Sequence, residues 1–143
     1  LEDKLPAHVF NRMEYEIRKR IFPTILNSTP EKYWWESCKT NWATVCGAGF
    51  TMAALYFGTE EEKELFVSRF RMCLDDYLDG ITEDGCCLEG LSYWNYGVEH
   101  FVILAEAIRV YSDGKINYFE NPKVKNLALF PQKVKMSEIT WIQ

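Results

Sequence analysis

Residues 84–100 read DGCCLEGLSYWNYGVEH, and this stretch combines more kinds of chemistry than any other part of the chain. It holds two carboxylates, three glycines, two tyrosines and a tryptophan: Asp84, Glu89, Gly85, Gly90, Gly97, Tyr93, Tyr96 and Trp94. The apolar run FVILA follows directly at residues 101–105. A polar, glycine-rich turn that leads into an apolar helix is typical of a functional site, because the helix holds the groups that the turn exposes.

Outward from this stretch, apolar residues recur at helical spacing and predict an all-α chain built of antiparallel helical hairpins. We expect four main helices, over residues 6–21, 43–57, 59–78 and 91–111. Pro23 should kink or end the first helix, and Thr59 with Glu62 three residues later should form a capping box at the third. No long alternating strand pattern is present.

The pattern weakens toward the end of the chain. Asn121 before Pro122 could cap a short helix that reaches Phe130, where Pro131 should break it. Residues 134–143 are ambiguous and are predicted to be extended.

The order of the hairpins has a consequence for function. If the helices over 43–57 and 91–111 are inner helices of successive hairpins, they run the same way and their starts lie side by side. Asn41 and residues 92–96 then meet at one end of the molecule. Two helix N-termini that point into one hollow would bind an anion, although Thr40 or Asn41 could instead serve only as a helix cap.

Charge and composition narrow the class of partner. The net charge of −5 gives no general attraction for nucleic acid or for acidic membranes, and no apolar run is long enough to span a bilayer. Aromatic residues make up 15% of the chain, which suits both a bulky core and a surface that binds sugar rings. We therefore expect no nucleic-acid or membrane partner, and the oligomeric state stays open.

The five cysteines are an odd number, and the adjacent Cys86 and Cys87 cannot easily bridge to each other. Reduced thiols are the simpler interpretation, which favours a cytoplasmic location. The cysteine spacing matches no zinc pattern and the chain holds only two histidines, His8 and His100. We expect no metal and no cofactor.

Two segments together resemble a known family. Residues 40–55 read TNWATVCGAGFTMAAL, and about forty residues later 84–108 read DGCCLEGLSYWNYGVEHFVILAEAI. They resemble the heparinase II/III-like and alginate-lyase group of polysaccharide lyases, whose pattern is roughly NWN-x-V-C followed by DG-x-x-x-EG-x-x-YW-x-YG. The resemblance covers about residues 5–130, and its second motif is the more specific one. It implies an (α/α) toroid, of which this chain would form an incomplete part.

The resemblance also implies a reaction. Enzymes of this group act on acidic polysaccharides that contain uronic acid, and they cleave by β-elimination, with loss of the C5 proton and departure of the C4 oxygen. On this chain Asn41 matches the carboxylate-neutralising Asn and Tyr96 matches the catalytic Tyr, with Tyr93 as the reserve. Trp42, Trp94 and Glu89 would shape the sugar site. His100, one helical turn after Tyr96, could bond to it or be a core residue.

Two features depart from the family. Several of its members have His directly after the Asn, where this chain has Trp42, so the base is unassigned. Its toroid also has further hairpins and a β-sandwich that adds site residues, so we expect the chain to be a fragment that is incomplete as an enzyme.

Two other functions are compatible with the residues. A glycoside hydrolase on a similar helical toroid would use Asp84 and Glu89 as acid and base. A non-catalytic module would bind glycan or protein through exposed tryptophans, for which the candidates are Trp34, Trp35, Trp42 and Trp94.

Overall fold

The computed structural model describes residues 4–134, and this range is mostly helical. Within it the α-helices are α1 (Ala7–Glu16), α2 (Phe22–Leu26), α3 (Asn41–Phe57), α4 (Glu60–Phe70), α5 (Met72–Gly80), α6 (Leu91–Tyr111) and α7 (Pro122–Lys133). No strand occurs among these residues, and one isolated bridge joins Ile81 to Cys87. The predicted all-α class is therefore confirmed. The extended conformation predicted for 134–143 falls on residues that, after Val134, lie outside the described range.

The first predicted helix does not stop at Pro23. A π-helical segment, Ile17–Ile21, follows α1 directly and leads into α2, where Pro23 lies in the first turn. Proline has no N–H group to donate, and in the first turn of a helix this costs no hydrogen bond of that helix. The wider π turn before it accommodates the change in hydrogen-bonding pattern. The helical path consequently reaches Leu26 rather than ending near residue 21.

The third predicted helix is present as α4 and α5, with Arg71 between them. Its capping box is confirmed: the Thr59 N–H donates to Glu62 Oε2 at 2.7 Å, and the Glu62 N–H donates to Thr59 Oγ1 at 3.3 Å. α5 ends at Gly80, which packs against the Lys39 carbonyl so closely that a side chain at this position would clash with it. Gly80 thus brings the end of α5 against the segment that leads into α3.

Pro131 does not end α7, and the prediction that it breaks the helix at Phe130 is wrong. Asn121 caps the helix as expected, accepting a bond from the Lys123 N–H at 2.9 Å. Pro131 lies in the last turn, where it removes little of the hydrogen-bond ladder. Contacts of the buried Leu127 and Phe130 with the core hold the helix in place through Lys133.

α3 is the central helix, and α6 runs beside it in the same direction. A hydrogen bond joins Thr44 to Gly97, and further along a Cβ at Gly47 would meet Leu104. Residue numbers therefore increase in the same direction along α3 and α6, which makes the two helices parallel. α4 and α5 return antiparallel on one side of α3, so that Cys73 faces Gly47 and Gly80 faces Lys39. The antiparallel hairpins that the sequence predicts are present, and α3 and α6 pack side by side in parallel.

The core lies between α3, α4, α5 and α6 and is rich in aromatic rings. The largest side chains with almost no exposed surface are Tyr77, Phe22, Phe66, Phe70, Phe101, Ile25, Leu74 and Leu104. Each of these apolar side chains contributes about 1.5–3 kcal/mol on burial, so the helix positions that carry the site are rigidly held.

Candidate functional site

The starts of α3 and α6 lie against each other. The Thr44 hydroxyl is 3.0 Å from the Asn41 carbonyl and 3.1 Å from the Gly97 carbonyl, and it donates toward both. The close approach at Gly97 is required, because a Cβ there would lie 2.5 Å from Tyr77 Oη. Thr44 and Gly97 thus bring together the two motif segments, which are far apart in sequence.

Neither start is capped by a side chain. Thr40 precedes α3 and Gly90 precedes α6, and neither α-helix has a side-chain cap bond or an acidic residue in its first turn. The first backbone bonds run from the Ala43 N–H to the Thr40 carbonyl and from the Trp94 N–H to the Gly90 carbonyl. The N–H groups before them point outward from two parallel helix dipoles, an arrangement that favours an anion.

Asn41 is the first residue of α3 and is 4% exposed. Its side-chain amide makes no hydrogen bond to another residue between 4 and 134, so it does not cap its own helix. Its amide atoms are not among the fully buried polar atoms without a partner, which between residues 4 and 134 are Thr51 Oγ1, Tyr77 Oη and Trp94 Nε1. Asn41 is therefore a polar group held ready at the joined helix starts.

The two tyrosines of the motif are accessible on α6. Tyr96 is 45% exposed and Tyr93 is 51% exposed. Positions 96 and 103 are two turns apart and share a face of α6, and Ile103 lines a groove with Met52 and Leu55 of α3. Tyr96 accordingly lies on the face of α6 that borders α3, near the end where Asn41 begins its helix.

His100 is half-buried beside Tyr96 and is not a core residue. Its Nδ1 is 2.9 Å from the Tyr96 carbonyl, and the two rings meet edge to face with centroids 4.9 Å apart. A carbonyl only accepts, so Nδ1 is the nitrogen that donates in this bond. The His100 ring thus contacts the Tyr96 ring, but its hydrogen bond goes to the backbone carbonyl of Tyr96 and not to the phenol.

The other predicted sugar contacts have different surroundings. Trp42, the second residue of α3, is 51% exposed, and Glu89 is exposed in the turn before α6. Trp94 is 8% exposed and packs on Phe130, with ring centroids 6.2 Å apart. Trp94 Nε1 has no hydrogen-bond partner within residues 4–134. Because both the ring and Nε1 of Trp94 are buried, Trp94 offers no surface to a sugar, whereas the 51% exposed Trp42 does.

The turn before α6 is ordered by Asp84. Its carboxylate accepts hydrogen bonds from the Thr82 hydroxyl and from the Cys86 N–H, the latter at 3.4 Å. The Thr82 bond, with help from Cys86 and Lys133, holds the pKa of Asp84 below its usual value. A carboxyl group that is used in this way and has a lowered pKa is poorly suited to act as a general acid.

All five cysteines are free thiols. Burial raises the pKa of Cys73 to about 12, and burial also raises the pKa of Cys87. These thiols stay protonated at neutral pH and are weak nucleophiles. Among residues 4–134, no group of three or more His, Cys, Asp or Glu side chains is placed to hold a metal ion.

A buried ion pair that the sequence analysis did not identify supports the segment before α3. Arg69 donates from Nε to Glu36 Oε2 at 2.7 Å and from Nη2 to Glu36 Oε1 at 2.8 Å, and both side chains are 4% exposed. Burial acts to raise the pKa of Glu36, but the bonds from Arg69 and Tyr33 outweigh it and keep that pKa below the ordinary value. The signal was available, since Arg69 lies three residues after Phe66 and four before Cys73, on the apolar face of its helix.

None of the helices between residues 4 and 134 combines the length and the apolar character that a membrane span requires. Comparisons of the chain with protein-family models, with curated proteins and with solved structures gave no match.

Proposed function

We propose that this chain carries part of the active site of a polysaccharide lyase, which cleaves glycans containing uronic acid by β-elimination. The observation that carries the proposal is the pairing of two uncapped, parallel helix starts with Asn41, a residue that is 4% exposed and opens α3. The proposal includes the heparinase II/III-like resemblance of the two motifs and the incomplete (α/α) toroid that this resemblance implies.

Asn41 and the helix starts would act first, on the carboxylate at C5 of the sugar. A C5 proton next to a carboxylate is weakly acidic, because its removal adds negative charge to a group that is already charged. The Asn41 amide and the outward N–H groups would donate hydrogen bonds to that carboxylate and stabilise the added charge. In a buried position such donors are already oriented when the charge develops, which makes them effective.

Tyr96 would then move the proton. As a phenolate it takes the proton from C5, the C5–H electron pair forms the C4–C5 double bond, and the bond from C4 to its oxygen breaks. The leaving oxygen takes a proton from the Tyr96 phenol, so one proton passes from C5 to the departing sugar. The initial phenol proton would pass to solvent, because Tyr96 is 45% exposed and the hydrogen bond of His100 goes to the Tyr96 carbonyl and not to its phenol.

Tyr93 remains the reserve for the proton-transfer role, since it is as accessible as Tyr96. Trp42 would contact the sugar next to Asn41, and Glu89 would border the site from the turn before α6. Trp94 is assigned a supporting position under the site, because its ring lies in the core.

The two alternatives differ in what supports them. A hydrolase that uses Asp84 as its acid is disfavoured, because hydrogen bonds within the turn already occupy this carboxylate. A non-catalytic glycan-binding module is favoured by one observation, the exposure of Trp34 and Trp42 at 64% and 51%. It differs from a lyase only in lacking turnover.

Product chemistry tests the proposal. The full-length protein that contains this chain is incubated with a panel of uronate polysaccharides, and the ultraviolet absorbance of the unsaturated product is followed; neutral glycans serve as the blank. Tyr96→Phe should reduce the rate by about 10²–10⁴-fold with an unchanged helical circular dichroism spectrum. Tyr93→Phe is the matched control and should keep most of the activity. Turnover of Tyr96→Phe at the wild-type rate would reject the assignment.

A second variant tests the carboxylate site. Asn41→Ala should slow elimination by about 10²–10³-fold, as removal of one oxyanion donor does in other enzymes. Loss of helicity in the same variant would instead return Asn41 to a structural role at the start of α3.

A further inference from the structure

Trp34 and Trp35 are adjacent in sequence but have opposite surroundings. Trp35 stacks between Tyr33 and Phe50, at centroid distances of 5.8 Å and 5.3 Å, and is half-buried against the core. Trp34 is 64% exposed. The 3₁₀ turn Trp34–Glu36 separates the two rings in this way, because consecutive side chains of a tight helix point in different directions.

The turn that carries Trp34 is fixed in place. Glu36 is bound by two nitrogens of the Arg69 guanidinium, and it also accepts from the N–H groups of Glu31 and Tyr33 at 3.2 Å each. Arg69 is bonded in turn to the carbonyls of Ile25, Ser28 and Thr29. The backbone that carries the Trp34 ring is thus already ordered before binding, so a ligand that stacks on the ring loses little backbone entropy.

Trp34 meets a second exposed tryptophan at the proposed site. Its ring is 5.6 Å from that of Trp42, edge to face at 61°, and Trp42 directly follows Asn41 in the first turn of α3. The two indoles thus form an uncharged aromatic surface that extends from the start of α3, next to Asn41, into solvent.

We infer that Trp34 and Trp42 form a stacking subsite for the sugar ring next to the uronate that Asn41 binds. The subsite takes a pyranose with one face made of C–H bonds, as in β-1,4-linked manno- or gluco-configured sugars. This inference rests on the proposed function, because the position of the uronate defines which ring is its neighbour.

The chemistry of the pair selects this ligand. A pyranose ring of this kind is apolar on its faces and polar around its edge, and the large indole face supplies apolar area together with a π surface. A glycan chain held at Asn41 must extend beyond the bound uronate. The aromatic surface begins at Trp42, the amino acid that follows Asn41, and is therefore available to the neighbouring sugar ring. Rings with a C–H face gain from this contact whether or not they carry a carboxylate.

Calorimetric titration tests the subsite. The chain is titrated with a β-1,4-linked mannuronate hexasaccharide and, separately, with cellohexaose, which has the C–H face but no carboxylate. Trp34→Ala should weaken mannuronate binding by about three- to tenfold. Trp34→Phe should keep most of the affinity, and cellohexaose should bind more weakly and still respond to Trp34→Ala. Tyr15→Ala, which removes a 51% exposed ring on α1, is the matched control and should change nothing.

Three results would overturn the inference: Trp34→Ala that binds like the wild type, Tyr15→Ala that weakens binding as much, or a wild-type chain that binds neither oligosaccharide. Ultraviolet assays of the same samples separate it from the lyase proposal. Unsaturated product formed by Trp34→Ala with an unchanged KM contradicts the subsite and leaves the lyase. Binding that depends on Trp34, without unsaturated product from any uronate polymer, supports the subsite and contradicts the lyase.

Discussion

The start of α4 and the adjacent starts of α3 and α6 differ in how their free N–H groups are treated. α4 satisfies its own N–H groups: Thr59 and Glu62 exchange two hydrogen bonds, and three consecutive glutamates, at residues 60–62, complement the helix dipole. α3 and α6 begin after Thr40 and Gly90 with neither a side-chain cap nor an acidic residue in the first turn. A helix start that lacks both devices costs stability unless something else supplies the negative charge.

Polar side chains show the same contrast. Arg69, near the end of α4, donates to Glu36, Ser28 and three carbonyl groups, so its guanidinium is fully used in holding the structure. Asn41 is 4% exposed, and its side chain neither caps α3 nor joins a network of this kind among residues 4–134. The chain can therefore satisfy a buried polar group where it needs one for stability, and we infer that the open groups at α3 and α6 are kept for a ligand.

The largest expected effect on stability comes from the region around the Arg69–Glu36 ion pair, where polar groups are bonded within the chain. Arg69→Ala should lower the free energy of unfolding by about 3–5 kcal/mol, because it leaves the buried Glu36 carboxylate without its partner. Asp79→Asn removes an ion pair with Lys39 whose side chains are 67% and 61% exposed, and it should cost at most about 1 kcal/mol. Urea denaturation measures both. Equal losses in the two variants would show that Arg69 holds the fold no more than a surface pair does.

The same ion pair predicts how stability depends on pH. The pKa of Glu36 is lower in the folded chain than its ordinary value of 4.5. Its stabilising contribution is therefore complete above about pH 4.5 and is lost as the pH falls through the lower folded-state pKa. Glu36→Gln should flatten the acid side of a plot of unfolding free energy against pH, and an unchanged slope would contradict the assignment.

A third prediction compares the residues that precede two helices. Thr59→Ala should destabilise the chain by about 1 kcal/mol, because it removes the hydroxyl that accepts from the Glu62 N–H; the bond from the backbone N–H of residue 59 to Glu62 Oε2 does not depend on the side chain. Thr40→Ala should change stability by less than about 0.5 kcal/mol, since the Thr40 side chain makes no cap bond to α3. Thermal or urea unfolding of the pair measures the difference. A comparable loss in Thr40→Ala would mean that α3 is capped after all.

The smallest effect is a gain in stability. Ser92→Asp adds a negative charge to the first turn of α6 and should raise the free energy of unfolding by about 0.3–1 kcal/mol while weakening uronate binding. Ser68→Asp, at an exposed position within α4, is the control and should produce neither change. A Ser92→Asp variant that gains no stability and still binds uronate would show that the N–H groups of α6 are not open to an anion.

Helix positions were the most predictable part of this molecule, because apolar residues at 3.6-residue spacing specify a buried face regardless of the partner. Residues 91–111 were predicted as a helix and form α6. Local exceptions were harder: Pro23 and Pro131 both lie where a helix tolerates them, and that tolerance depends on the tertiary contacts around each turn.

Contacts between residues far apart in sequence could not be predicted from the sequence. Glu36 and Arg69 are 33 residues apart, and a charged residue on an apolar face indicates that it has a partner but not which one. The sequence likewise treats Trp34 and Trp35 alike, whereas the fold buries one against Phe50 and exposes the other. The meeting of the helix starts was predictable only because the hairpin order constrains two parallel inner helices.

Backbone amide chemical shifts test the central claim most directly. The ¹⁵N-labelled chain is titrated with an oligomannuronate and, as a control, with cellohexaose. We predict that the carboxylated sugar shifts the amide signals at the open helix starts, Asn41, Trp42, Ser92 and Tyr93, while those of residues 60–62 at the capped start of α4 stay unchanged. Shifts of equal size at all three helix starts, or none at Asn41, would contradict the account.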